Sequence, residues 1–306
     1  MSTKILDVYN YVTNSHDEVK LVTHKGRFHA DDVMATAILR LFFEKANVTI
    51  ETIRTFTPEE DGYTDYTANC IVYDIGGGQY DHHQTENNEH TLRYDKVYDE
   101  NGEHTVVRKY SSVGLIWKEI GEVWLGKKYA KKVYDQVLKY IDDTDNGFGF
   151  NPLSSLIGCM NTYNVNASEA TQDIRFEMAV VTAQRLISSM IKQFEYMLTC
   201  ESKLYALAKK GEACLVSDEY IPGADDVCRE FNIPFYVYPN QRGGYCFKTI
   251  NKNESDNTVH LCDIPDEVRN WDGVTFLHHS CFLGSAVTKE RAINICASLW
   301  RQHNNK

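Results

Sequence analysis

No C-x-x-C pair occurs among the nine cysteines Cys70, Cys159, Cys200, Cys214, Cys228, Cys246, Cys262, Cys281 and Cys296. An odd and unclustered set argues against a disulfide framework or a zinc knuckle, and leaves reduced, mostly buried thiols of a reducing compartment. No stretch reaches the ~18 apolar residues that a membrane-spanning helix needs. Met1 to Lys20 alternates apolar residues with Asp, Asn, Lys and Ser, so the continuous apolar run of a signal peptide is missing as well. These absences predict a cytoplasmic chain without membrane contact, with a nuclear or mitochondrial share left open. Positive charge is also in deficit: the net charge of −11 excludes a broad electrostatic footprint for duplex nucleic acid. It does not exclude a phosphate substrate, because cations held in a cleft dominate the local field.

Length and pattern then give an architecture. A chain of 306 residues exceeds one small core and suits two domains, divided as 1–190 and 191–306. Val19 to Thr23 has the pattern of a short strand, and Asp32 that of a cap on a nearly all-apolar helix, Val33 to Leu39. Val48 to Thr55 is rich in β-branched residues, and Cys70 to Tyr73 is a further strand ending at Asp74. Strands alternating with helices predict an α/β fold, a mainly parallel sheet covered by helices. Val113, Ile116, Trp117, Ile120 and Trp124 share one helical face, and Val133, Val137 and Tyr140 another before Asp142. Residues 167–210 contain neither Gly nor Pro and predict a long connecting helix. Beyond Gly211, β-rich pieces at 213–216, 234–238 and 274–277 and a closing helix near 288–303 predict a smaller C-terminal α/β domain.

Hard nitrogen and oxygen donors gather in four segments: His24 with His29, Asp31 and Asp32; Asp74; Asp81-His82-His83; and Asp142-Asp143-Thr144-Asp145. His24, Asp74 and the last cluster each follow an apolar strand or helix, the edge of an α/β sheet where ligands bind. Carboxylates brought together repel one another in a dry pocket unless cations join them. Imidazole and carboxylate donors without thiolate suit Mn, Mg, Fe or Zn, and a carboxylate can bridge two such ions. Taken singly the pieces are ordinary: an Asp before a helix, as Asp32, fits a cap alone, and Asp142-Asp143 fits a solvated helix end. The joint order carries the inference: H-x4-H-x-D after a strand, a second strand ending in Asp, then D-H-H within ten residues.

The wording of these motifs resembles the DHH phosphoesterase superfamily, in the branch of the melanocyte proliferating gene product, also labelled metal-dependent protein hydrolase. The resemblance rests on Thr23 to Asp32, Tyr73 to Gly77, Tyr80-Asp81-His82-His83-Gln84, Tyr110 to Leu115 and Asp142 to Gly147, and spans nearly the whole chain. It implies a DHH-type N-terminal domain in which His24, His29 and Asp31 ligate metal, with His29 where most of the superfamily has Asp. Asp74 would bridge two ions, His82 would ligate the second, and Asp142 would complete the set, with Asp145 as the alternative. His83 would contact or protonate the phosphate and Asp81 would orient a metal-ligating imidazole through its other nitrogen, so His83, Asp74 and Asp81 form the expected catalytic group. The segment Leu277 to Ser285 resembles the family's histidine- and glycine-rich phosphate loop, which implies substrate contacts from His278, Ser280 and Gly284; Lys289 could pair with phosphate too. Cys281 and Ser285 stand where glycines are expected.

The function so implied is a hydrolase using two divalent ions, manganese first, acting on single-stranded RNA as a 3′-to-5′ exoribonuclease. Tyr236, Tyr238, Tyr245 and Phe247 lie at strand spacing and could stack bases. The alternatives are a small-molecule phosphatase or pyrophosphatase, and a non-catalytic metal-binding module that retains the fold. Peptide hydrolysis lacks its motifs, H-E-x-x-H or G-x-S-x-G. The aromatic helix with Trp117 and Trp124 offers a face for a homodimer.

Overall fold

A computed structural model describes residues 4–64, 66–83, 89–100, 102–164, 166–254 and 256–305; Gln84 of the D-H-H segment lies outside them. The chain divides into two compact units, Met1–Phe194 and Glu195–Lys306.

The first unit begins with helix α1 (Lys4–Ser15), which the alternating sequence did not announce, and strand β1 (Val19–His24). Helix α2 (Ala30–Glu44) follows, then β2 (Ile50–Thr55) and β3 (Cys70–Val72). These strands form a parallel sheet in the order β2-β1-β3. Leu21 and Val22 in β1, Cys70 and Ile71 in β3 and nearly every apolar residue of α2 are buried, which is why a continuous apolar run is stable here. The register pairs Lys20 with Cys70 and Val22 with Val72, so two residues further on His24 and Asp74 emerge side by side.

An antiparallel hairpin, β4 (Leu92–Asp99) and β5 (Gly102–Lys109), leads into helix α3 (Ser112–Val133), which kinks at Gly126, whose φ is 67°. A π-helical turn, Tyr134–Leu138, connects α3 to α4 (Lys139–Asp145), followed by α5 (Pro152–Gly158). Helix α6 (Glu169–Leu207) carries the chain across the division at Phe194.

In the second unit the strands β6 (Cys214–Val216), β7 (Phe235–Pro239), β8 (Tyr245–Thr249), β11 (Val274–Leu277) and β12 (Leu283–Ala286) make one sheet in the order β11-β12-β8-β7-β6. Its β6–β7 pair is parallel and the others are antiparallel. Between β6 and β7 lies α7 (Ala224–Phe231); β9 (Asn251–Asn253) and β10 (Asp256–His260) form a separate ribbon, and α8 (Lys289–Asn304) packs Ile295, Cys296 and Leu299 into the core beside Phe235 and Phe247. No helix among the described residues is long and apolar enough to cross a membrane.

Candidate metal centre

Four segments of the first unit, 24–32, 74, 82–83 and 145, converge beyond the C-terminal ends of β1 and β3. Helix α2 starts earlier than its apolar run suggests: His29 is the cap, and Asp32, expected as the cap, is the third helical residue. Its Oδ1 accepts from the backbone N of His29 at 2.9 Å, an amide that the helix start leaves without a partner, and from that of Val33 at 2.7 Å. Its Oδ2 is thereby aimed at His24, 3.1 Å from Nε2. Asp32 thus belongs to the site as well as to the helix end, a role that spacing alone did not distinguish from capping.

Asp74 has a φ of 57°, a left-handed conformation that Asp tolerates better than most residues. The turn points its carboxylate back over the sheet edge. Oδ2 lies 3.3 Å from His24 Nε2, while Oδ1 lies 3.2 Å from His82 Nε2 and accepts from Ser112 Oγ at 2.8 Å. His82 Nε2 also lies 3.0 Å from Asp145 Oδ2 and 3.6 Å from Asp31 Oδ2.

Three groups of donor atoms each fall within 4.8 Å: His24, Asp32 and Asp74; Asp74, His82 and His83; and His29, Asp31 and Asp145. Asp74 is common to two of them. Asp31, Asp32 and Asp74 are almost fully buried, and no hydrogen-bond donor among the described residues reaches either oxygen of Asp31.

Electrostatics follow from that crowding. Burial, with Asp74, Asp145 and Asp32 nearby, pushes the Asp31 carboxyl well above the usual carboxylate range. Burial would raise Asp74 too, but hydrogen bonds from His24 and His82 outweigh it and hold that group below its ordinary value. Burial alone would depress both imidazoles; their carboxylate partners win and lift His24 and His82 to about 10. A buried carboxylate with no donor is the position a cation would fill, so the residues present fit divalent metal.

His83 is half exposed. Its Nδ1 lies 2.9 Å from Asp81 Oδ1, an oxygen that also accepts the His83 amide at 3.0 Å, while Asp81 Oδ2 accepts from Gly77 N at 2.8 Å. The Asp81 hydrogen bond raises the His83 pKa. Asp81 thus holds the imidazole of His83, not that of a metal-ligating histidine as the sequence led one to expect, because the tight turn of the D-H-H segment brings its Oδ1 to the histidine two residues on.

Asp142 does not join the group. Its Oδ1 accepts from Ser111 N at 3.0 Å and Ser111 Oγ at 2.7 Å, and its Oδ2 from Tyr134 OH at 2.6 Å and Arg93 at 3.3 Å. With both oxygens taken, Asp142 is a fully buried anchor for the start of α3, and Asp145, one turn on, is the carboxylate beside His82. The fixing of α3 at Ser111 in turn places Ser112 against Asp74. Arg93 was not singled out in the sequence, where an Arg in an unrecognised strand carries no signal; Ser112 lies in the Tyr110 to Leu115 motif, but no role was read for it.

In the second unit, the His278 backbone N donates to Leu283 O at 2.8 Å, and its Nδ1 accepts from Ser280 N at 3.2 Å. Cys281, standing where a glycine was expected, takes the glycine-like φ of 54°. A Cβ on Gly284 would collide with the Phe247 ring, so packing explains that glycine; it also borders a cavity of about 640 Å³ that Arg242 and Thr275 help to line. Lys289 pairs with Asp218 at 2.6 Å. Tyr236 and Phe247 are buried, and the Tyr236 hydroxyl accepts from Ile221 N at 2.8 Å, so these two rings belong to the core and are not free to stack bases.

The family model MYG1_exonuc, described as uncharacterised protein family UPF0160, matches residues 20–299. The chain is similar to MYG1 exonuclease of Mus musculus, 24% identical over 343 residues covering 92% of this chain and 85% of that one. It is similar also to MYG1 exonuclease of Homo sapiens, at 24% with 93% and 86% covered, and to the MYG1 protein of Dictyostelium discoideum, at 22% with 90% and 94% covered. Among solved structures it is similar to RecJ in complex with Mg2+ from Thermus thermophilus, with 13% identity and a TM-score of 0.29 over 98% of this chain. The chain spans about half of that protein, 52%.

Proposed function

We propose, from the premise that this chain belongs to the MYG1_exonuc family, that it is a metal-dependent phosphodiester hydrolase removing nucleotides from the 3′ end of single-stranded RNA. The observation that carries this reading is a buried Asp74 carboxylate shared between His24 and His82, beside an Asp31 whose oxygens meet no hydrogen-bond donor among the described residues. The mouse and human relatives are named exonucleases, which supports the same class.

His24, His29, Asp31, Asp74, His82 and Asp145 would hold two divalent ions, with manganese the first choice over Mg, Fe or Zn. Bound there, the ions supply neutralisation of charge at a phosphoryl group and lower the pKa of water. The remaining work falls to the chain. Lys25 O, 3.0 Å from His24 Nδ1, and Ser112 Oγ, 2.8 Å from Asp74 Oδ1, fix His24 and Asp74, so the donors are already arranged when substrate arrives. Asp81 engages His83 Nδ1 and leaves Nε2 as the donor available to substrate; the same hydrogen bond raises the His83 pKa and so favours the protonated imidazole that a departing 3′ oxygen requires.

The test is turnover of a 5′-labelled single-stranded RNA with Mn2+, beside the same strand with a 3′-phosphate, a DNA strand and inorganic pyrophosphate. Stepwise shortening of the RNA from its free 3′ end is expected. Intact RNA with pyrophosphate consumed would replace the nuclease reading by a small-molecule phosphatase. His83→Ala should lower kcat by roughly 10²-fold or more while metal content is retained.

A further inference from the structure

The β4–β5 hairpin places Arg93 and Arg108 directly opposite each other. Like charges at such a position repel, and the two are treated differently. Arg93 is buried and neutralised by Asp142 and Asp143. Arg108 makes no ion pair with any described carboxylate; its guanidinium carbon stands 3.8 Å from the centre of the Phe148 ring.

Phe148 lies three residues beyond Asp145, the carboxylate at His82, and is therefore within about 11 Å of it along the backbone. Gly147 and Gly149, with φ of 81° and 76°, turn the chain on either side of it, and Phe148 N donates to Asp143 O at 2.6 Å. The hairpin is tied to the same turn, since Asn146 Nδ2 donates to Lys109 O at 3.3 Å and to Asp142 O at 2.9 Å. Phe150 follows, 76% exposed. A guanidinium braced on a ring, without a described carboxylate partner, and an exposed aromatic thus border a strongly acidic centre in a chain of net charge −11.

We infer that Arg108, braced by Phe148, is a phosphate-binding subsite for the nucleotides that precede the scissile bond of a single strand, with Phe150 as a base-stacking face. A stacked guanidinium keeps its in-plane N–H groups free for two phosphate oxygens, and an aromatic ring stacks any base. The inference rests on the nuclease reading for its ligand, and no residue of the metal centre takes part in it.

The test reads binding apart from turnover. Fluorescence anisotropy of a labelled single-stranded RNA, and of DNA of the same sequence, is followed in EDTA over a range of salt for wild type, Arg108→Ala, Arg108→Gln, Arg108→Lys, Phe150→Ala and the charge control Lys192→Ala. Arg108→Ala should weaken RNA binding about tenfold and reduce the slope of log K against log salt by about 0.7, the loss of one single-strand phosphate contact. Arg108→Gln, which keeps the packed stem, should do the same, while Arg108→Lys keeps the slope. Phe150→Ala should weaken binding with the slope unchanged, and Lys192→Ala should match wild type. Arg108→Ala and Arg108→Gln proteins that bind RNA with wild-type affinity and slope overturn the subsite, as does a wild type that binds neither strand. Wild type that binds through Arg108 but leaves RNA intact with Mn2+ overturns the nuclease reading alone.

Discussion

Asp142 and Asp145 lie on one short helix, three residues apart, yet do different things. Asp142 spends both oxygens on Ser111, Tyr134 and Arg93, whereas Asp145 faces His82. Asp145→Asn should therefore lower bound metal, measured by elemental analysis of protein loaded with Mn2+, while Asp142→Asn keeps the metal and loses stability in urea. Equal loss of metal in both would return Asp142 to the ligand set. This distinction was not legible in the sequence: Asp-Asp-Thr-Asp offers three acids, and the choice depends on where Ser111, Tyr134 and Arg93 arrive from other elements. Asp32 presents the same problem in reverse, since one oxygen does what any helix-start Asp does and only the fold aims the other at His24.

At the scale of elements, the hairpin and α3 are braced against the site by charge and by a close approach. Arg93, buried between Asp142 and Asp143, fixes β4 to α4. Arg93→Ala leaves a buried carboxylate uncompensated and should cost roughly 3 kcal/mol or more in urea unfolding. Gly114 lies in α3 where a Cβ would run into the Asp142 carboxylate. Gly114→Ala gains helix propensity of about 1 kcal/mol but must displace that anchor, so a net loss of roughly 1–3 kcal/mol is expected. A Gly114→Ala protein more stable than wild type would show that Asp142 gives way freely. The parallel strands and the long helix were readable because their apolar periodicity is unbroken. The hairpin was not, because Tyr94, Tyr98 and Val107 are exposed and its strands lack a clean buried face.

For the whole molecule, the donor set lies within the Met1–Phe194 unit, and the second unit has its own core around Phe235, Phe247 and Ile295. Divalent metal at about 100 times its Kd should add about 2.7 kcal/mol to folding. Hydrogen exchange should place that gain in β1, β3 and the start of α2, with β7 and β8 unchanged; uniform protection of both units would contradict a metal centre confined to the first. The sequence by itself determined the layer type and the family, because a strand ending in His, a strand ending in Asp and an apolar helix between them are local patterns that survive any arrangement of the rest. Tertiary structure alone decided which acid faces the centre, which one anchors a helix, and which arginine keeps its charge available. Those outcomes depend on whether a donor from a distant segment reaches a given oxygen first, and contacts between distant segments leave no periodic trace along the chain.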